Sequence, residues 1–130
     1  INADGMHVGG TDKSVAEVRA IIGPDKILGS SCYGDLALAH AAQAAGASYV
    51  AFGGFYPSKV KKYPVTTAPT IVSDWKAQGK VPSCVIGGMN KENSAPLVAN
   101  GADMVAAISS VYLAGDPQAA ARAFVNLFPT

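Results

Sequence analysis

Small polar residues and paired glycines recur in this chain wherever an apolar run stops. Val85-Ile86-Gly87-Gly88-Met89-Asn90 reads as a buried strand that breaks at two glycines and turns into a helix start. Paired glycines let backbone N–H groups turn outward and approach a ligand, and the helix that follows offers its positive end to an anion. The next apolar run, Met104 to Ile108, ends in Ser109-Ser110, so two neighbouring run ends form a candidate cup for a phosphate. Other run ends contribute Gly9–Asp12, Ser30–Tyr33 and the long Gly53–Lys62 stretch. Together they hold one carboxylate, several hydroxyls and three lysines. That set suits an anionic, phosphate-bearing ligand better than acid–base work on a neutral one.

Asp12 is the carboxylate, and it is a candidate Mg²⁺ ligand, since that ion takes one or two carboxylates plus substrate phosphates. It reads equally well as a solvated residue just ahead of a helix cap. In the long loop Phe55–Lys62, Ser58 can donate a hydrogen bond and Lys59 or Lys61 can neutralise a diphosphate; the plainer reading is a flexible basic loop. Cys32, between Ser31 and Tyr33, invites a nucleophile reading. Its base would have to be His7, inside a strand, or His40, in mid-helix, and neither position serves a strand end. Trp75 is expected in the core.

The elements that must position these residues alternate. Met6–Val8 leads to Ser14-Val15-Ala16-Glu17, a capping-box pattern opening a helix with Val15, Val18, Ile21 and Ile22 on its apolar side. Gly23-Pro24 ends it. A strand over Ile27–Ser30 and a helix capped by Asp35, through Leu36, Leu38, Ala39 and Ala42, follow. A third strand, Tyr49–Phe52, precedes the long loop and a helix burying Ile71, Val72 and Trp75. After the Val85 strand the pattern predicts a helix near Ser94–Asn100 with Pro96 in its first turn. After the 104–108 strand, Asp116-Pro117 opens a last helix burying Ala120, Phe124 and Leu127. Three runs begin alike, at Ala3-Asp4-Gly5, Gly46-Ala47-Ser48 and Gly101-Ala102-Asp103. Strands spaced by about 20 residues with helices between them make βαβ units and a parallel sheet. Their near-continuous apolar character predicts a sheet covered on both faces. The 130 residues form a single domain, 1–130, of α/β class. Five units leave open whether the sheet is doubly wound or part of a barrel: the length favours the first, the repeats and the two C-terminal anion-type strand ends the second.

Composition narrows the functions. A net charge of +1 argues against a nucleic-acid surface, and no apolar run reaches the roughly 20 residues of a membrane span. Two cysteines in apolar runs read as free thiols of a cytoplasmic protein.

Read in order, these strand ends resemble the C-terminal part of the thiamine-phosphate synthase family. The carriers are Ala3-Asp4-Gly5-Met6-His7-Val8-Gly9 with Asp12, Ile27-Leu28-Gly29-Ser30-Ser31, Gly46-Ala47-Ser48-Tyr49-Val50, Tyr56-Pro57-Ser58 with Lys61, Ile86-Gly87-Gly88-Met89, Gly101-Ala102-Asp103 and Ile108-Ser109. The resemblance implies strands 4–8 of a (β/α)₈ barrel and an enzyme joining hydroxymethylpyrimidine diphosphate to thiazole phosphate with release of diphosphate. It implies Asp12 as one Mg²⁺ carboxylate and Ser31, Ser58 and Lys61 on the diphosphate, with Ser31 and Lys61 at the reacting end. Gly88, Ile108 and Ser109 would hold the thiazole phosphate. Departures from the family pattern are Gly10 where glutamine is usual, Val60 where a second hydroxyl is usual, and Tyr33 where histidine is frequent. The family's first three strands, with the other metal carboxylate, have no counterpart here, so the isolated chain is expected to be incomplete and inactive. Open sheet edges then predict association with a second copy, or a flattened sheet. The alternatives are a thiazole tautomerase-like enzyme and a non-catalytic phosphate-binding fragment.

Overall fold

The computed structural model describes residues 1–57 and 66–129. Five strands, β1 (Gly5–Val8), β2 (Ile27–Tyr33), β3 (Tyr49–Phe52), β4 (Ser83–Ile86) and β5 (Met104–Ala106), form one sheet in the order β1-β2-β3-β4-β5. Every neighbouring pair is parallel, so all strand C-termini lie along one edge. Helices α1 (Val15–Ile22), α2 (Leu36–Ala44), α3 (Thr70–Gln78), α4 (Lys91–Ala99), α5 (Ser109–Tyr112) and α6 (Pro117–Val125) complete the fold.

Alternation along the strands sorts the side chains. Val50, Phe52 and Val85 pack with Ala39 and Ala42 of α2, Ile71, Val72 and Trp75 of α3, and Leu97 of α4. Leu28 and Val8, on the same face, pack with Val18 of α1. The opposite face carries Ile27 (55% exposed), Ile86 (39%) and Met104 (36%). The large core side chains and the helices thus meet on one face, and the expected cover on both is corrected: the second face leaves Ile27, Ile86 and Met104 partly exposed. The sequential strand order likewise lacks the reversal of a doubly wound sheet.

Local signals explain most helix starts. Ser14 and Glu17 form the reciprocal capping box at α1, Asp35 accepts from the Ala37 and Leu38 amides, and Asp116 caps α6 ahead of Pro117. Four details differ from expectation. Ile21 and Leu38 are exposed, so the apolar stripes of α1 and α2 are narrower than the residue types suggest. α4 starts at Lys91, because Asn90 and Asn93 make a capping box of their own, and Pro96 lies inside the helix rather than in its first turn. β5 stops at Ala106, where the chain leaves the sheet ahead of α5. Ala120, Phe124 and Leu127 are only half-buried, Phe124 resting on the edge of the core.

Candidate functional site

At the C-terminal ends of β4 and β5 the chain makes a cleft of about 570 Å³, lined by Tyr56, Pro57, Gly88 to Asn90, Asn93, Ser109, Ser110 and Leu113. The turn after β4 requires its glycines. Gly87 and Gly88 have φ of 100° and 64°, and a Cβ on Gly88 would sit 2.1 Å from the Pro57 carbonyl oxygen. Asn93 Nδ2 donates to the Gly88 carbonyl at 2.9 Å, and the Tyr56 hydroxyl donates to the Asn93 carbonyl at 2.8 Å. The Ser110 hydroxyl donates to the Met89 carbonyl at 2.6 Å and ties the two strand ends together. Ile108, 51% exposed, precedes α5, and its carbonyl accepts from the Val111 and Tyr112 amides. The amides of Ser109 and Ser110 come ahead of those first intrahelical donors, where a helix has no acceptor of its own to offer. Gly88 and Ser109 thus line one cleft, with Ile108 at its head. Ser110 was not singled out from the sequence, since a serine beside another serine gives no sign of which one crosses to the neighbouring loop.

The other strand ends make a second cluster. The exposed Asp12 carboxylate accepts from the Gly9 amide at 2.8 Å through Oδ2, closing a turn in which the Asp12 amide also bonds the Gly9 carbonyl. Among the described residues no three His, Cys, Asp or Glu side chains converge as a metal cluster. Tyr33 ends β2 at a register shift with φ 54°, its hydroxyl accepting from the Gly10 amide at 2.9 Å and its carbonyl from the Gly53 amide. The approach is close: a Cβ on Gly10 would lie 3.0 Å from the Tyr33 hydroxyl oxygen, so a side chain there would press on the tyrosine. Ser31 bonds His7 Nε2 at 2.8 Å, and His7 Nδ1 bonds the Tyr49 hydroxyl at 2.8 Å. His7 is therefore on the Ser31 face of the sheet. Position within a strand had argued against it, and only cross-strand register reveals the contact.

Ser58 and Lys61, with Lys59 and Val60, lie outside the described residues. The flanks of that loop meet the β3 end, where Thr66 and Thr67 donate to the Gly54 carbonyl and the Thr67 hydroxyl to the Gly53 carbonyl.

Cys32 is fully buried on the helix side, its thiol directed at the Ser30 carbonyl, and burial pushes its pKa up to about 11. A thiol so placed is neither ionised nor accessible, which excludes it as a nucleophile. Both cysteines are free. His40 bonds Gln78 and meets the Trp75 ring edge-on, a structural setting far from the strand ends in the fold. No helix among the described residues is long and apolar enough to cross a membrane.

Comparisons with known proteins give the family and the fold. Residues 1–111 match the family described as thiamine monophosphate synthase. The chain is 95% identical over 128 residues to the thiamine-phosphate synthase of Janthinobacterium sp. (strain Marseille), covering 98% of this chain and 62% of that protein. It is 44% identical to the thiamine-phosphate synthase of Nitrosomonas eutropha (strain DSM 101675 / C91 / Nm57), covering 98% and 60%. Among solved structures, thiamine phosphate pyrophosphorylase from Pyrococcus furiosus superposes with a TM-score of 0.81 at 28% identity, over 97% of this chain and 59% of that one. The 3-hexulose-6-phosphate synthase from Salmonella typhimurium, at 22% identity and a TM-score of 0.70 over 97% and 62%, shares the fold. The chain spans about three-fifths of the length of the curated relatives it matches.

Proposed function

This chain belongs to the thiamine monophosphate synthase family, and from that footing we propose that it carries the thiazole-phosphate half of a thiamine-phosphate synthase site together with part of the diphosphate half. The reaction is the joining of hydroxymethylpyrimidine diphosphate to thiazole phosphate. The carbon–oxygen bond to diphosphate breaks with its electron pair leaving on oxygen, and the thiazole nitrogen supplies the pair for the new carbon–nitrogen bond. The sheet is read as strands 4–8 of a (β/α)₈ barrel, an interpretation supported by its sequential order and one-sided helices.

The observation that carries the reading is the joined cleft after β4 and β5. Gly88 and Ser109 are brought to one cavity by the Ser110–Met89 bond, with backbone amides of the kind that hold a phosphate. On the other side Ser31 donates to the diphosphate and Lys61 neutralises it, lowering the barrier by stabilising charge as it develops on the leaving group. Asp12 fits Mg²⁺ as one hard oxygen ligand among phosphate oxygens, being exposed and fixed in its turn by the Gly9 amide. The ion, when bound, supplies charge neutralisation to the diphosphate. Free thiols suit a reducing compartment such as the cytoplasm. The exposed sheet face and its two edges are read as the contact for a second copy of the chain.

Calorimetric titration with thiazole phosphate tests the cup. Binding that weakens about tenfold in Ser109→Ala is expected for loss of a hydrogen bond to a charged group; an unchanged affinity removes the assignment. Tyr33 and the cleft geometry give no reason to favour a tautomerase.

A further inference from the structure

His7, Gly29 and Tyr49 lie side by side across β1, β2 and β3, since His7 pairs with Gly29 and Gly29 with Tyr49. Gly29 is the gap over which the two rings meet. A Cβ there would fall 2.0 Å from the Tyr49 ring, and the ring centroids of His7 and Tyr49 are 5.7 Å apart. Ser31, on the same face and nearer the strand end, bonds the other imidazole nitrogen. We propose that Tyr49 and His7 form a positioning relay that fixes the Ser31 hydroxyl as an outward donor to an anionic ligand at the strand ends. The inference rests on the reading of Ser31 as a diphosphate ligand and says how its proton is aimed.

A neutral imidazole has one N–H and one acceptor nitrogen, so the line of bonds has two polarities. In the first, the Tyr49 O–H donates to Nδ1 and Nε2–H donates to Ser31 Oγ. Ser31 then has its own proton left for a ligand. In the second, Nδ1–H donates to the Tyr49 oxygen and Ser31 donates inward to Nε2, turning lone pairs toward an incoming anion. The second leaves the phenol proton without an acceptor, because His7 is the one hydrogen-bond partner of the Tyr49 hydroxyl among the described residues. Burial also raises the Tyr49 pKa and keeps the phenol protonated. Each polarity thus leaves one hydroxyl proton over, on Tyr49 in the second and on Ser31 in the first. Ser31 is the one nearer the strand end, where an anionic ligand accepts it, so the first polarity is the one a ligand satisfies. Protonated His7 gives Ser31 the same orientation, since both ring nitrogens then donate. A hydroxyl aimed in advance needs no reorganisation when charge develops on the ligand.

Nitrogen-15 NMR of the histidine-labelled chain at about pH 8, above the ordinary histidine range, reads the tautomer without any substitution. The relay requires an unprotonated Nδ1 and a protonated Nε2 at His7, with His40 as internal reference. An Nδ1–H signal at His7 overturns it. Titration with inorganic diphosphate supplies the second readout. Tyr49→Phe is expected to weaken binding about fivefold by loss of one hydrogen bond, and His7→Gln, which can still donate to Ser31, to bind more tightly than His7→Leu. Wild-type affinity in Tyr49→Phe overturns the relay while leaving Ser31 as a ligand. If Ser31→Ala binds as the wild type does, or the wild type shows no binding, the Ser31 reading itself falls and the relay with it.

Discussion

Tyr33 holds a left-handed backbone, φ 54°, that costs a non-glycine residue about 1 kcal/mol or more. Its hydroxyl and carbonyl each accept a backbone amide, from Gly10 and Gly53, and so join three strand ends. Tyr33→Phe should lower stability by about 1 kcal/mol in urea unfolding, the usual net value of one hydrogen bond; an unshifted midpoint means that the bond contributes nothing. Gly88 is constrained more severely, by a φ of 64° and by the Pro57 carbonyl oxygen. Gly88→Ala should cost roughly 2 to 4 kcal/mol by strain and overpacking. Ser109, not Gly88, is therefore the clean place to probe the cup. The cysteines set a pH dependence. Burial raises the Cys32 and Cys84 pKa values from 9.0 to about 11 each. As pH rises, unfolded thiols ionise first and the folded ones only near the higher value, so stability present below about pH 9 declines across that window, by roughly 2 to 3 kcal/mol per thiol at its end. Urea midpoints should fall between about pH 8 and about pH 10.5, and Cys32→Ala should flatten the decline.

Among the elements, α1 does more than cover the sheet. Arg19 donates to the carbonyls of Gly23, Lys26 and Gly46, at 2.7 to 3.0 Å, and to the Ser48 hydroxyl, binding together the chain entering β2 and β3. A lysine cannot reproduce that fork, so Arg19→Lys should cost about 2 to 3 kcal/mol in denaturant unfolding. α4 carries the opposite kind of residue. Pro96, exposed and inside the helix, has no N–H for the Glu92 carbonyl. Pro96→Ala should raise the melting temperature, the gain of about 1 to 3 kcal/mol being reduced by the freer unfolded chain. These two helices also mark what the sequence discloses. Ser14-to-Glu17, Asp35 and Asp116-Pro117 are local signals and were legible, as were the strand ends at Gly87-Gly88 and Ser109. The start of α4 was legible only in part. The turn into a helix at Met89-Asn90 could be read, but the helix itself was expected near Ser94–Asn100, because Asn90 and Asn93 cap each other without the serine or glutamate that usually announces a box. His7 was not legible, since its partners lie on β2 and β3 and the contact depends on the absence of a side chain at Gly29.

For the whole molecule, the partly exposed sheet face is the feature with a direct physical test. Ile27, Ile86 and Met104 together offer apolar surface that water solvates poorly. Light scattering should detect association of the chain at working concentration, and Ile27→Glu, at the end of the sheet away from the cleft, should reduce it without altering phosphate binding; a concentration-independent monomer counts against a second copy on this face. The strand order has a kinetic consequence as well. Each strand pairs with the next along the chain, so no pairing requires a distant segment to be found first, and loop closure is cheap at every step. Assembly can grow by accretion, each strand–helix unit adding to the edge that the previous one has just exposed. A ribosome releasing this chain would free its units in the order in which the sheet needs them.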